Sequence, residues 1–324
     1  MDVLSDLLHR AHARNALVRQ LIQRPPWALA FTGAPPLTVV AALGGHASVR
    51  LHDAGVAPAR LAPGDIALIG GAHAHTIADS PATPPQAVIH GGRKHVVGGS
   101  EGTAGVGAAG MGAAGVQRSL GPRTYGDGLP GATIMLRGAC ELRGEAGVRL
   151  LRMLPPLAVV PSGPRTRAAL DLLATEVARD EPGQDAVLHR LLDLVLVLAL
   201  RAWCAGPEAP LPSWHRALAD PAVGEALRLL HDRPAHRWTV AELAAGVGMS
   251  RAAFAARFRS LVGEPPLTYL TGWRMTLGAD LLGDTDATVA AVAREVGYED
   301  AFAFSVAFKR AHGVSPSAWR RRTR

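Results

Sequence analysis

Residues with chemistry to offer are few and unevenly placed in this chain. His73 and His75 form an HxH pair, which on a β-strand turns both imidazoles to one side and suits chelation of a divalent cation. Two histidines are only a partial ligand set, so no metal and no other cofactor is assigned. Cys140 and Cys204 lie far apart and outside any CxxC or Cys/His spacing, which excludes a disulfide framework and a zinc site and fits a reducing, cytoplasmic setting. Gly105, Gly107 and Gly110 satisfy GxGxxG. No buried strand precedes them, no amphipathic helix follows, and no acidic residue stands about 20 positions on, so dinucleotide binding is excluded. What remains is basic: Arg251, Arg257, Arg259, Lys309 and Arg310 sit on two short segments of helical periodicity, where cations suit phosphate oxygens.

The elements that must hold those cations occur in duplicate between Trp238 and Trp319. In the first copy Val240, Leu243 and Ala244 form the buried face of a supporting helix, Gly246 to Gly248 supply the turn, and Ser250 caps the next helix. That helix, Arg251 to Arg259, buries Phe254 and Phe258 four residues apart and turns Arg251, Ala252, Ala255 and Ala256 outward. In the second copy Val289, Val292 and Ala293 support, Gly297 turns, Asp300 caps, and Phe304 and Phe308 anchor. A connecting helix is predicted over Thr268 to Leu282. A helix presented in this way fits the major groove of double-stranded DNA. The candidate contact set is Ser250, Arg251, Ala252, Ala255, Ala256, Arg257 and Arg259 in the first copy. In the second it is Phe302, Ala303, Ser305, Val306, Lys309 and Arg310. Its base-facing members are small or apolar, so bidentate purine contacts are missing and modest sequence discrimination is predicted.

Upstream the pattern is different. The 324 residues allow two domains, and 34 basic against 27 acidic side chains give a net charge of +7, which favours a polyanionic partner. The N-terminus mixes acids and bases and lacks a signal-peptide core, so export is not expected. A helix is predicted over 2–15, and short β-rich runs at 37–43, 47–52 and 66–70 are bounded by turn residues. Later strands are predicted at 132–142 and in the Leu150 to Val160 region. Between them, 90–121 is low in complexity and is predicted to be a mobile excursion. Helices follow at 165–179 and 184–204. The second has two apolar stripes, one led by Val187 and the other by Leu188, which admits burial within one chain or a homodimer contact. Its most apolar run, Leu191 to Leu200, is about half the ~20 residues of a bilayer span, so no membrane partner is expected. Residues 205–213 are a Pro-rich linker.

Two resemblances fit these patterns. LAPGDIALIGGAHAH resembles the second conserved motif of cupin barrels, with Gly64 and His75 on the pattern and Gly70 where the family usually has Pro. The first cupin motif is not recognisable, and His46 and His52 do not reproduce its spacing. The segment closing with GYxxxxxFSxxFKRxxGxSPxxWR resembles the DNA-binding domain of the AraC family of bacterial transcription regulators. Gly297, Tyr298, Phe304, Phe308, Lys309, Gly313, Pro316 and Trp319 fall on that pattern. Arg24 to Trp27 and Leu136 to Gly147 resemble one subgroup of that family. The resemblance implies a multidomain α+β protein: a cupin-like sensor barrel (double-stranded β-helix) over 1–160, helices over 161–214, and an all-α domain with two helix-turn-helix units over 215–324. It implies a non-enzymatic regulator that binds promoter DNA, senses an unidentified small molecule or chemical signal, and can contact RNA polymerase. Some relatives resemble oxidant sensors, which makes Cys140 a redox candidate. Alternatives are a metal-dependent cupin enzyme with a DNA-binding tail and an architectural DNA-binding protein.

Overall fold

The computed structural model describes residues 3–10, 14–90, 93–97, 118–128, 130–142, 144–152, 154–206 and 217–323. By its contacts the chain divides into two units, one of Ala13–Leu142 with Leu154–Pro207, the other of Met1–His12, Arg143–Met153 and Glu208–Arg324. The glycine triplet 105–110 and most of the low-complexity stretch lie outside the described residues. Among those residues no helix is long and apolar enough to cross a membrane.

The first unit is built on strands β1 (Arg14–Gln23), β2 (Ala28–Thr32), β3 (Leu37–Gly44), β4 (Ala47–Leu51), β5 (Ala59–Leu61), β6 (Ile66–Gly70), β7 (His75–Ala78), β8 (Ala87–His90), β9 (Arg93–Val96), β10 (Arg118–Gly121), β11 (Thr124–Gly126), β12 (Thr133–Glu141) and β13 (Leu157–Val160). They form a seven-stranded sheet ordered β10-β11-β1-β12-β3-β6-β13 and a six-stranded sheet ordered β5-β4-β7-β2-β8-β9. One face of each sheet meets the other in a shared core, with Leu21, Val40, Ile69 and Met135 from the larger sheet and Phe31, Val49, Leu61 and Ile77 from the smaller. Such alternation follows from the two-residue period of a strand. On its other face the larger sheet is covered by α3 (Pro164–Val177) and α4 (Gln184–Cys204). Gly138 permits that approach: a Cβ there would stand 2.4 Å from Leu192 Cδ1. The α4 stripe of Leu188, Leu192, Val195 and Ala199 is buried, whereas Val187 and Leu194 on the other stripe are exposed.

Three expectations are corrected here. The N-terminal helix ends at Arg10, and Arg14–Gln23 is a strand, of which only Arg14 and Asn15 fell within a predicted element, the helix over 2–15. The excursion predicted over 90–121 begins and ends in strands, β9 and β10. Of the Leu150 to Val160 region only Leu157–Val160 is strand, because residues 144–152 form helix α2 (Gly144–Arg152), which buries Ala146 and Leu150.

The second unit collects α1 (Val3–Arg10) and α2 with the C-terminal helices α5 (Pro221–Asp232), α6 (Val240–Gly246), α7 (Arg251–Val262), α8 (Pro266–Asp284), α9 (Val289–Glu295), α10 (Ala301–His312) and α11 (Pro316–Thr323). Thus α1 and α2, which the sequence places beside the strands, pack with the helical half. Asp280 on α8 accepts from the Glu145 and Ala146 amides at 2.6 and 3.4 Å and so caps α2. On α1, Asp6 pairs with Arg10 at 2.7 Å and with His231 Nδ1 at 2.7 Å, and His231 Nε2 meets the Tyr269 hydroxyl at 2.7 Å. Asp6, His231 and Tyr269 thus form a buried polar chain linking α1, α5 and α8, with Arg10 partly exposed at its end. Gly278, inside the long α8, is required by packing, since a Cβ there would stand 2.9 Å from the Phe304 ring.

Candidate nucleic-acid interface

Both helix pairs are fixed by local hydrogen bonds that their sequences specify. Thr239 and Glu242 form a capping box at the start of α6, with bonds of 3.1 and 2.7 Å. Ser250 Oγ accepts from the Ala253 amide at 3.3 Å, opening α7, and Gly263 closes that helix at φ 94°. In the second pair Thr288 caps α9, and the Asp300 carboxylate accepts from the Phe302 and Ala303 amides at 3.1 and 3.0 Å to cap α10. Beneath α7, Phe254 and Phe258 lie 5.7 Å apart and Phe258 meets Tyr269 at 6.0 Å; beneath α10, Phe304 and Phe308 lie 5.5 Å apart and Phe308 meets Trp319 at 5.8 Å. All four phenylalanines are fully buried. Burial of these rings on one side dictates what the other side presents.

The presented faces carry most of the predicted residues. On α7, Arg251, Ala252, Ala256, Arg257 and Arg259 are exposed and Ala255 is half-buried, while Ala253, which the sequence reading omitted, shares the open face. On α10, Phe302, Ala303, Val306, Lys309 and Arg310 are exposed. Phe302 is 75% accessible and Val306 55%, unusual exposure for large apolar side chains.

Besides the capping Ser250, two further predicted contact residues are already occupied. Arg257 binds the Asp220 carboxylate through Nε at 2.8 Å and Nη2 at 2.5 Å, and Asp220 also caps α5 by accepting from the Ala222 and Val223 amides. Ser305 Oγ donates to the Ala301 carbonyl at 2.7 Å, within its own helix. Of the three arginines in the last turn of α11, Arg320 to Arg322, the first is engaged within the fold. Arg320 donates to the carbonyls of Leu282 and Ala287, tying α11 to the loop after α8. Arg274 likewise clamps the Pro234 and His236 carbonyls at 2.7 and 2.8 Å. Of the residues that position the interface, the capping box was legible as TxxE, but the Asp220 and Arg274 contacts join positions 37 to 40 residues apart and carry no local signature.

In the other unit His75 opens β7 and is completely buried, stacked on Phe31 at 5.1 Å, with Nδ1 2.9 Å from the His73 carbonyl. His73 lies in the turn before the strand, so the two imidazoles do not share a strand face. Burial lowers the His75 pKa to about 4, and the nearby Arg137 charge acts in the same direction. Among the described residues no three His, Cys, Asp or Glu side chains gather as a metal set. Cys140 is fully buried, and burial, aided by Asp193, pushes its thiol up to about 12; burial raises Cys204 to about 11. Both are held as thiols, the unreactive form.

Comparison with known proteins bears on both units. A cupin family model matches residues 2–205, and a helix-turn-helix domain model matches residues 243–322. The chain is 33% identical over 325 residues to a Streptomyces antibioticus protein named as an AraC-like transcription regulator, covering 99% of each chain. A protein of the same description from Streptomyces lividans is 31% identical over 325 residues, covering 99% of this chain and 98% of that one. Among solved structures, the DNA-binding domain of AdpA in complex with a target DNA is 35% identical, covers 32% of this chain and 92% of that chain, and has a TM-score of 0.31.

Proposed function

The chain belongs to the AraC-like transcription regulators, with a cupin domain followed by a helix-turn-helix DNA-binding domain, and we propose that α7 and α10 enter successive major grooves of promoter DNA under the control of a signal received by the cupin domain. The observation that carries this reading is the duplicated face: two capped helices, each anchored by a buried Phe pair, each presenting small or apolar side chains flanked by cations. Arg251, Arg259, Lys309 and Arg310 supply phosphate contacts, while Ala252, Ala256, Phe302, Ala303 and Val306 meet base edges and thymine methyls. Ser250 and the half-buried Ala255 and Ser305 shape the rim.

Action on DNA places the protein in the cytoplasm. Val187 and Leu194 on α4 supply an apolar stripe suited to a second copy of the chain, and RNA polymerase is the partner that an activator would recruit. Catalysis is not part of this reading: its full-length relatives are named as regulators, and His75 offers only Nε2 as a ligand. A metal-dependent enzyme would require bound metal lost in His75→Ala, which elemental analysis of the purified proteins measures. Footprinting on the DNA upstream of the protein's own reading frame, with and without candidate ligands, tests the regulator reading. Protection of two adjacent major grooves on one side of the duplex is expected. Absence of protection at physiological salt would overturn it.

A further inference from the structure

The inner face of the cupin domain contains two arginines directly opposite each other. Arg19 on β1 and Arg137 on β12 are register partners, and Arg137 is also opposite Val40, whose side chain belongs to the core between the sheets. Like charges at directly opposed positions of a sheet repel. Arg137 Nε is buried without a hydrogen-bond partner, and no described carboxylate pairs with either guanidinium. Arg19 Nη1 donates to the Val18 carbonyl at 3.2 Å, and the remaining compensation is aromatic: Arg137 lies over Phe31 at 4.3 Å and Arg19 over Tyr125 at 5.8 Å. Stacking satisfies the faces of a guanidinium and leaves its N–H edge for an acceptor. Burial pulls Arg137 down to about 10, still charged at neutral pH. A buried cation without a counter-charge is costly, and an anion supplied from outside removes that cost.

We propose that the cupin domain binds a small organic carboxylate between Arg137 and Arg19, with its apolar part against Phe31 and Tyr125. The paired N–H edge of arginine matches a carboxylate. His75 adds a second polar contact: its Nδ1 faces the His73 carbonyl, so Nε2, buried without a partner, is left to accept from a hydroxyl on the same ligand. The proposal rests on the sensor reading of this domain and names the class of signal it would receive.

The test is calorimetric titration of the full chain with acetate, butyrate, benzoate and 3-hydroxybenzoate, each compared with its neutral amide. At least one acid is expected to bind at least tenfold more tightly than its amide. That affinity is expected to fall at least tenfold in Arg137→Gln and in Arg19→Gln, with partial retention in Arg137→Lys. Thermal unfolding without ligand separates binding from folding, because Arg137→Gln removes an uncompensated charge and should melt no lower than wild type. If Arg137→Gln does not fold, the Arg19→Gln variant and the acid-to-amide ratio decide. Failure of every acid to bind, equal binding of acids and amides, or unchanged affinity in both glutamine variants would overturn the proposal. Gel shifts with the same compounds keep the two readings apart. An acid that binds without altering DNA affinity leaves the site standing and removes the sensor reading. A neutral compound that alters DNA affinity while no acid binds does the reverse.

Discussion

On the surface proposed to face DNA, Lys309, Arg310, Arg251 and Arg259 are the exposed cations, and Ala252, Ala256, Phe302 and Val306 are the exposed small or apolar side chains. Charge contacts act on any sequence, so Lys309→Ala is expected to weaken binding to specific and random duplexes alike and to lower the slope of log affinity against log salt by about 1. Salt titration of fluorescence anisotropy measures both. Arg257→Ala should change that slope less, because Asp220 already holds its guanidinium. Phe304 does different work: fully buried beneath α10, its truncation to alanine is expected to cost about 3–5 kcal/mol in denaturant unfolding. At the thiols, native-state labelling of Cys140 and Cys204 should be slow and should accelerate on unfolding, since both pKa values lie far above neutral. Rapid labelling of Cys140 in the folded chain would restore it as a redox switch.

The helix-turn-helix pairs were legible in the sequence because their determinants are local. Phe254 and Phe258, like Phe304 and Phe308, repeat at four residues, and Ser250 and Asp300 cap the helices they immediately precede. Strand β1 was not legible. Val18 is buried on one face and Leu21 on the other, with Arg19 pointing inward, so no apolar/polar alternation marks it. Nor was the Asp6–His231 bond, which joins positions 225 residues apart. Its disruption is testable by pH. Burial lowers the His231 pKa, against the favourable Asp6 contact and with unfavourable Arg149 and Arg10 charges nearby. Burial pushes the Asp6 carboxyl up, but hydrogen bonds from His231 and Arg10 hold it below its usual range. A base with a depressed folded pKa loses stability as pH falls below its unfolded value, and an acid with a depressed folded pKa loses it in the same direction. The helical unit should therefore melt at lower temperature as pH falls from 7 towards 5, through His231, with Asp6 contributing below about pH 4. Thermal melts of His231→Gln should be flatter over the upper part of that range. Asp6→Ala is expected to cost about 1–3 kcal/mol at pH 7 by leaving buried partners unpaired.

At the scale of the whole molecule, two of the four points at which the chain passes between its units adjoin β1 and β12 in sequence. The segments after α1 and before α2 lead into and out of β1 and β12, which are antiparallel neighbours and carry Arg19 and Arg137. Under the proposed sensor function, a signal felt by that strand pair would reach, along the chain, the sequence segments that lead to α1 and α2. The small or apolar side chains proposed to face the bases would limit what they can read. Binding-site selection from a random duplex pool, with full-length protein at physiological salt, tests this most directly. The expected result is two short, weakly defined patches about one helical turn, ~10 base pairs, apart, with thymines favoured beneath Ala252, Ala256 and Val306. A single patch, or a sharply defined G-rich motif beneath α10, would contradict it.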